Sequence, residues 1–265
     1  MTADLDFAHR LADAADAIST ARFRANDLRI ATKADRTHVT DADQAVERVI
    51  RELIAAERPG DAIFGEEYGV EGDSNRQWII DPIDGTANYL RGVPLWGTLV
   101  ALAVDGEVVA GVASMPALSQ RWWAAKGEGA WKRTPQNPDP ERLQVSATKS
   151  LDEASVSFQS IAQWRDAGHL DQLLALLNDV WRDRAYGDLW SYTLLAEGLI
   201  DAVGEFGVKA YDIAPLLLIV EEAGGRFTAA TGEEGPWHGS ALASNGVLHD
   251  ELLRRINVRA GAGAA

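Results

Sequence analysis

Hydrophobic positions near the N-terminus recur every three to four residues. This period predicts one amphipathic helix from Leu5 to about Phe23 and a second that begins after Thr40. Thr40 is a natural N-cap for the second helix, and Pro59-Gly60 ends it. The predicted buried stripe of the second helix consists of Val46, Val49, Ile50 and Leu53.

Shorter apolar runs after the second helix predict strands. "AIFGEE" and "QWIID" fit single strands, and "LWGTLVALAVDGEVVAGVASMP" fits a hairpin that turns at Asp105-Gly106. "RWWAAKGEGAWKR" predicts a third antiparallel strand, and 134–142 ("TPQNPDPER") an exposed linker. Further on, strands and helices alternate, with an apolar helix in "YDIAPLLLIVEEAGGRF" and a last helix in "VLHDELLRRINV".

The order of these elements predicts an α/β protein whose first half is α+β. We expect one domain over 1–258, with an α+β part over about 1–140 and an α/β part over about 141–258, packed into one layered body. The low-complexity stretch 259–265 is predicted to be a disordered tail.

Composition and charge exclude several classes of partner and of catalytic chemistry. Of 265 residues, 46% are hydrophobic, and 40 acids against 25 bases give a net charge of −15. Nucleic acid and anionic membranes need a basic surface, so neither is an expected partner. The absence of cysteine excludes disulfides and thiolate catalysis. Neither a signal peptide nor a membrane-spanning run is visible, which makes a cytoplasmic protein the expectation.

Acidic residues at the end of an apolar strand are the first candidates for chemistry. In "WIIDPIDGTANYL", Asp81 and Asp84 follow the strand, and Gly85 permits a sharp turn. If a helix starts at Gly85-Thr86, its free N–H groups attract an anion while the two carboxylates attract a cation. A phosphate bridged to a metal satisfies both groups. An aspartate that merely caps a turn is the simpler alternative.

Three further acids occupy comparable positions. Glu66 follows another short strand, although adjacent acids in "FGEEYG" also fit a solvated loop. Asp43 lies on the buried stripe of the second helix, where it serves either a metal or a capping box with Thr40. Asp212 precedes an apolar helix and fits an N-cap. Together these acids offer the oxygen ligands that Mg²⁺ prefers.

Other chemistries have less support. The five histidines are scattered, without metal-ligand spacing and away in sequence from the acids: His9, His38, His169, His238 and His249. Neither a GxSxG motif nor a Walker A motif is present, and the glycine turns lack a nucleotide-binding fingerprint.

Four stretches in this order and spacing resemble the inositol monophosphatase family of Mg²⁺-dependent phosphatases. They are "VTDADQAVER", "GEEYG", "WIIDPIDGTANYLRGVP" and "YDIAPLLLIVEEAGGRF", and D-P-I-D-G-T is the most specific of their motifs. The resemblance extends over nearly the whole chain. It implies a layered α-β-α-β-α sandwich, usually found as a homodimer.

The resemblance also implies roles for individual residues. It implies two or three Mg²⁺ ions per active site, held by Glu66, Asp81, the carbonyl of Ile83, Asp84, Asp212 and Asp43. It further implies that the catalytic group is Thr86, Glu66 and Asp43, with Thr86 and Glu66 orienting the attacking water. The amides of Gly85 and Thr86 would take phosphate oxygens, and Lys33 matches a lysine near a mobile metal loop.

The stretch "YGDLWSYTLLAEGLIDAVGEFGVKAYD" looks like the histidinol-phosphate phosphatase branch of this family. Asp188 and Glu205 would pair an ammonium group, and Trp190 would pack on an imidazole, beside Asp84 and Asp212. The expected reaction is hydrolysis of L-histidinol phosphate in histidine biosynthesis. Asp188 as a helix cap and Trp190 as a core residue remain open. So do an inositol-1-phosphate or sugar-phosphate substrate and a non-catalytic, metal-binding dimeric scaffold.

Overall fold

The computed structural model describes residues 2–32 and 38–258, so Lys33 and the predicted tail 259–265 lie outside the described residues. Its α-helices are α1 (Ala3–Arg22), α2 (Asp41–Glu57), α3 (Thr86–Arg91), α4 (Ile161–Asp166), α5 (Leu170–Asp179), α6 (Asp188–Ala196), α7 (Ala210–Glu222) and α8 (His249–Asn257). None of these helices is both long enough and apolar enough to cross a membrane.

The strands form a large sheet, a smaller sheet and a two-stranded ribbon. The first ten are β1 (Ile30–Thr32), β2 (His38–Thr40), β3 (Ala62–Gly65), β4 (Gly69–Glu71), β5 (Arg76–Asp84), β6 (Gly97–Val104), β7 (Glu107–Met115), β8 (Gln120–Ala125), β9 (Gly129–Arg133) and β10 (Glu141–Arg142). The others are β11 (Ser155–Ser157), β12 (Arg182–Arg184), β13 (Ala202–Phe206), β14 (Arg226–Thr228) and β15 (Ser240–Ser244). The large sheet has the order β10-β9-β8-β7-β6-β5-β3-β4, and the smaller has β12-β11-β13-β15-β14.

Alternation of side chains along the central strands gives the large sheet two buried faces. In β5, Trp78 and Ile80 pack with α1 and α2, whereas Ile79 packs on the opposite side with α6 and α7. Successive side chains of a strand point to opposite faces, so an uninterrupted apolar run is required where both faces are covered. This explains why the sequence reads "WII" with no polar residue between.

The helices therefore lie in three layers separated by the two sheets. α6 and α7 pack between the large sheet and the smaller one. On the outer face of the smaller sheet, α4, α5 and α8 bury residues such as Trp164, Leu173 and Leu252. The predicted α-β-α-β-α sandwich is confirmed, and the middle helical layer carries Asp188 in α6 and Asp212 in α7.

Local patterning within α2 follows the prediction closely. Thr40 is the N-cap, and its hydroxyl accepts the N–H groups of Ala42 and Asp43. The buried stripe differs from the prediction, because Ile54 is fully buried while Val49 and Leu53 are only partly buried. Positions four apart lie on one helical face, so Ile50 and Ile54 share the side that meets α1 and the sheet.

Two other predictions about elements are wrong. "RWWAAKGEGAWKR" forms two strands, β8 and β9, which pair antiparallel across a turn, because Gly127 and Gly129 supply left-handed backbone there. Asp212 is not the N-cap of α7, since Lys209 occupies that position and Asp212 lies within the first turn. The predicted linker is exposed over 134–140 but ends in the edge strand β10.

Close contact between β7 and α7 predicts a stability effect. A Cβ on Gly111 would lie 2.9 Å from the Cα of Pro215, so Gly111→Ala forces sheet and helix apart. Overpacking of this kind costs about 1–3 kcal/mol. We expect a lower urea midpoint with an unchanged m-value. Gly60→Ala is the control, because nothing lies within 4 Å of its Cβ position, and an equal loss in both variants would contradict the packing argument.

Candidate active site

The C-terminal end of β5 is bent, and the bend aims two buried carboxylates at one space. The register between β5 and β6 shifts between Asp81 and Asp84, and the intervening carbonyl of Pro82 accepts the Thr98 hydroxyl at 2.9 Å. Proline has no N–H to lose at such an irregularity. Gly85 follows with φ +80°, a conformation that glycine adopts without steric cost, and α3 begins at the next residue.

A third carboxylate reaches the same space from the middle helical layer. Carboxylate oxygens of Asp81, Asp84 and Asp212 all lie within 4.8 Å of one another, and we call these three residues the acid cluster. Asp81 and Asp84 leave the large sheet, whereas Asp212 comes from the first turn of α7. The cluster therefore depends on how α7 packs on the sheet.

Each member of the acid cluster is held by one backbone N–H group. Asp81 Oδ1 accepts from Ile83 at 3.0 Å, Asp84 Oδ2 from Leu189 at 2.6 Å, and Asp212 Oδ2 from Lys209 at 2.6 Å. Hydrogen bonds to a charged acceptor fix its orientation strongly. One oxygen of each carboxylate is thus anchored, which leaves the other oxygen for a further partner.

Asp43 is anchored in the same way and lies beside Thr86. Its Oδ2 accepts the N–H of Thr40 at 2.8 Å and also the Thr40 hydroxyl, which completes the capping box. Its Oδ1 lies 3.3 Å from Thr86 Oγ1, which is 3.0 Å from the carbonyl oxygen of Ile83. The capping role of Asp43 is therefore compatible with a role in the site, since the two use different oxygens.

The turn that carries Glu66 is held in place by a buried acid that the sequence did not single out. Glu47 of α2 accepts the N–H groups of Glu67 at 2.7 Å and of Tyr68 at 3.2 Å. A Cβ on Gly65 would lie only 2.0 Å from Glu47 Oε1, so this contact requires glycine there. The N–H of Glu66 donates to Ile80 of β5, which ties the turn to the strand of the acid cluster.

Burial and mutual repulsion dominate the electrostatics of the site. Burial, with the charges of Glu66 and Asp84 next, raises the pKa of Asp81 well above its ordinary value. Burial also raises the pKa of Asp84 strongly, followed by the charge of Asp188. For Asp212, burial raises the pKa from 3.8 to about 7, partly opposed by the Lys209 N–H. The same cause raises the pKa of Asp43 to about 6.

The acid cluster, Glu66 and Thr86 line one cavity of about 340 Å³. Its lining includes the predicted residues Glu66, Asp81, Ile83, Asp84, Gly85, Thr86, Asp188, Glu205 and Asp212. It also includes residues that the sequence did not indicate, namely His38, Gln159, Gln163, Tyr192 and Val208. Asp43 reaches this group through its contact with Thr86.

Asp188 and Glu205 lie in this cavity as predicted, but Trp190 does not line it. Trp190 packs edge-on against the buried Trp122, with ring centroids 6.1 Å apart. Trp190 is partly buried against the core between the two sheets, which favours its alternative as a core residue over the predicted stacking role. The reason is helical geometry: residues four apart share a face, so Asp188 and Tyr192 face the cavity, and Trp190, midway between them, points away.

The helical spacing of Tyr192 from Asp188 could have identified Tyr192 from the sequence. The Tyr192 hydroxyl donates a hydrogen bond to Glu205 at 2.6 Å. Burial raises the pKa of Glu205 to about 8, although the hydrogen bond from Tyr192 lowers it. His38 lines the cavity because β2 ends at Thr40, immediately before α2. Its distance in sequence from Asp81, Asp84 and Asp212 hid this proximity.

The donor set of the acid cluster fits a hard divalent cation. Carboxylate and carbonyl oxygens are the ligands that such ions prefer, and the carbonyl of Ile83 lines the same cavity. Three like charges within 4.8 Å repel one another, the more strongly the less water surrounds them. A bound cation would reverse this repulsion and let all three carboxylates ionise.

Residues 2–259 match the model of the inositol monophosphatase family. The chain belongs to the inositol monophosphatase family. Among curated members, the histidinol-phosphatase of Mycobacterium tuberculosis is 50% identical over 255 residues, which cover 96% of this chain and 98% of the relative. The histidinol-phosphatase of Streptomyces coelicolor is 48% identical over 260 residues, covering 97% of each chain.

Solved structures share the inositol monophosphatase fold with this chain. The Thermotoga maritima IMPase superposes with a TM-score of 0.84 at 30% identity, covering 97% of both chains. The family resemblance drawn from the D-P-I-D-G-T motif and its companions is thus confirmed, and the acid cluster lies within the segments that carried it.

The raised pKa values in the acid cluster predict that pH and a bound cation have linked effects on the stability of the protein. Between about pH 4 and pH 7 the folded protein holds protons that the unfolded chain has released, so stability without a cation falls as pH rises. Cation binding needs ionised carboxylates. The difference between the Tm measured with Mg²⁺ and the Tm measured with EDTA should therefore be larger at about pH 8 than at about pH 5.5.

Asp212→Asn should reduce this Mg²⁺-dependent increase in Tm. Glu221→Gln is the matched control, because burial also raises the pKa of Glu221 to about 7 but the residue lies outside the cavity. It should alter the pH dependence of stability and retain the Mg²⁺ effect. An Mg²⁺ effect that is independent of pH, or lost equally in both variants, would contradict a cation at the acid cluster.

Proposed function

We propose that this chain is a Mg²⁺-dependent phosphomonoesterase that hydrolyses L-histidinol phosphate to L-histidinol and phosphate. The observation that carries the proposal is the presence of two sets of acids in one cavity. One is the acid cluster, and the other is the pair Asp188 and Glu205. Relatives that are about half identical over nearly the whole chain bear the name histidinol-phosphatase, which supports the choice of substrate.

An anionic substrate needs cations in a cavity lined by six acidic side chains. We assign Glu66, Asp81, Asp84 and Asp212, with the carbonyl of Ile83 and with Asp43, to hold two or three Mg²⁺ ions. Bound there, Mg²⁺ would neutralise phosphate charge and lower the pKa of a water molecule. Without that neutralisation, the cavity would repel a phosphate ester.

The residues around the acid cluster then have distinct tasks. We assign Thr86, together with Glu66 and Asp43, to orient the water that attacks phosphorus, since Thr86 Oγ1 lies within reach of Asp43 and of the Ile83 carbonyl. The amides of Gly85 and Thr86, at the start of α3, would hold phosphate oxygens. Water forms the new phosphorus–oxygen bond and gives up a proton to solvent while the phosphorus–oxygen ester bond breaks, and the alcohol leaves with a proton from solvent, without a covalent phospho-enzyme.

The second pair of acids selects the alcohol. L-Histidinol phosphate carries an ammonium group that inositol phosphates and sugar phosphates lack. Asp188 and Glu205 approach the acid cluster from α6 and β13, and each raises the pKa of a neighbouring carboxyl. An ammonium group placed between them would relieve this repulsion, as charge-assisted hydrogen bonds do. Trp190 has no part in this assignment, and Asp84 and Asp212 complete the acidic wall.

The proposal extends to the setting of the reaction. Hydrolysis of L-histidinol phosphate would place the enzyme in histidine biosynthesis, in the cytoplasm. We also propose a homodimer, which rests on the family resemblance alone.

The test is phosphate release with Mg²⁺ from L-histidinol phosphate, inositol-1-phosphate and fructose-1,6-bisphosphate. We expect kcat/KM to be at least about a hundredfold higher for L-histidinol phosphate, because two charged hydrogen bonds are lost with the neutral alcohols. Asp84→Asn, which removes a member of the acid cluster, controls for contaminating phosphatases. Comparable values for the three esters would indicate a broad phosphatase and reject the proposed substrate.

A further inference from the structure

Gln159 and Asp188, which both line the cavity, form a two-point contact. Gln159 Oε1 accepts the backbone N–H of Asp188 at 2.9 Å, and its Nε2 donates to Asp188 Oδ1 at 3.0 Å. Gln159 follows β11, whereas Asp188 begins α6, so the contact joins two separate segments. One side-chain amide thus fixes both the backbone and the carboxylate of Asp188.

The contact brings together three residues with left-handed backbone, of which only Gln159 is of a type that seldom adopts it. Gln159 has φ +51° and Asp188 has φ +48°, in the left-handed region that residues other than glycine, asparagine and aspartate seldom adopt. At Gly187, a Cβ would lie 2.8 Å from Gln159 Oε1, so the contact also requires glycine there. Strained backbone that persists beside a cavity points to a functional constraint.

The other oxygen of Asp188 is held from the opposite direction. Asn88 of α3 donates to Asp188 Oδ2 at 3.0 Å and, through the same nitrogen, to the carbonyl of Leu95 at 2.8 Å. A Cβ on Gly85 would lie 3.2 Å from that oxygen, so the carboxylate rests against the turn assigned to phosphate. Asp188 is therefore fixed relative to the acid cluster by Gln159 and Asn88 together.

Both partners of Asp188 are neutral amides. An arginine or lysine at either position would orient the carboxylate equally well, but it would also neutralise the carboxylate charge. An amide donates a hydrogen bond and leaves the negative charge for another cation. This combination of rigid placement with uncompensated charge suits recognition of an ammonium group at a set distance from a phosphate.

We propose that Gln159 is a positioning residue that determines specificity for phosphate esters bearing an ammonium group, by fixing Asp188. The inference rests on the proposed function, because it presumes that Asp188 meets the substrate. Gln159 acts through Asp188 and need not touch the substrate itself. A purely structural Gln159 would instead stabilise the loop before α4 and affect all esters alike.

Gln159→Asn tests the inference, because asparagine tolerates left-handed backbone but is one methylene too short to make both contacts. We expect KM for L-histidinol phosphate to rise about tenfold to a hundredfold, since hydrogen bonds that place a charged group are lost. KM for inositol-1-phosphate should change by less than about twofold, and Tm should remain near that of the native protein.

A double-mutant cycle with Asp188→Ala decides how Gln159 acts. If Gln159 works through Asp188, Gln159→Asn should have no further effect on L-histidinol phosphate once Asp188 is alanine. Gln159→Gly removes the side-chain amide and also relieves the left-handed backbone strain, so it should show the same selective rise in KM for L-histidinol phosphate. It replaces Gln159→Asn as the test if that variant folds poorly. Gln172→Asn is the matched control, since the Gln172 amide bonds the Val258 carbonyl outside the cavity.

Two results overturn the role of Gln159. One is an equal loss on both esters, and the other is a loss that persists in full beside Asp188→Ala. The native enzyme, measured alongside, separates this failure from that of the proposed function. A native enzyme with no preference for L-histidinol phosphate rejects the substrate and the inference together. A clear native preference with an unselective Gln159→Asn rejects the inference alone.

Discussion

Repulsion among Asp81, Asp84 and Asp212 is the interaction on which the rest of the site depends. One oxygen of each lies within 4.8 Å of the others, and the burial of Asp81 and Asp84 reduces the screening of their charges by water. One backbone N–H group restrains each carboxylate. The three donors lie in the β5 bend, at the start of α6 and at the N-cap of α7. These bonds orient the carboxylates but do not neutralise them, and a bound cation would balance their charge.

Two helices, α2 and α7, each place an acid at the site through the same capping hydrogen bond at the helix start. Asp43 in α2 and Asp212 in α7 each accept the backbone N–H of the residue three positions earlier, at the helix start. That bond satisfies an N–H that a helix leaves without an internal partner, and it points the other oxygen away from the axis. Because α2 and α7 cover opposite faces of the large sheet, the acids converge on the end of β5 from both sides.

Local chemistry was readable from the sequence where it coincided with an element boundary. The acids after "WII", the cap at Thr40 and the hairpin at Asp105-Gly106 each depend on a few adjacent residues. Gln159 was not predictable, because its partner Asp188 is distant in sequence and meets it through two left-handed residues. Trp190 was grouped with the substrate residues because it is close in sequence to Asp188, whereas helical spacing turns it toward Trp122.

Anomalous diffraction from crystals grown with Mn²⁺ in place of Mg²⁺ tests the central claim most directly. Mn²⁺ takes the same oxygen ligands and scatters anomalously, so the ion can be located without reference to activity. We expect a peak in contact with carboxylate oxygens of Asp81, Asp84 and Asp212. A map without a peak at these oxygens, at Mn²⁺ concentrations that support phosphate release, would contradict it.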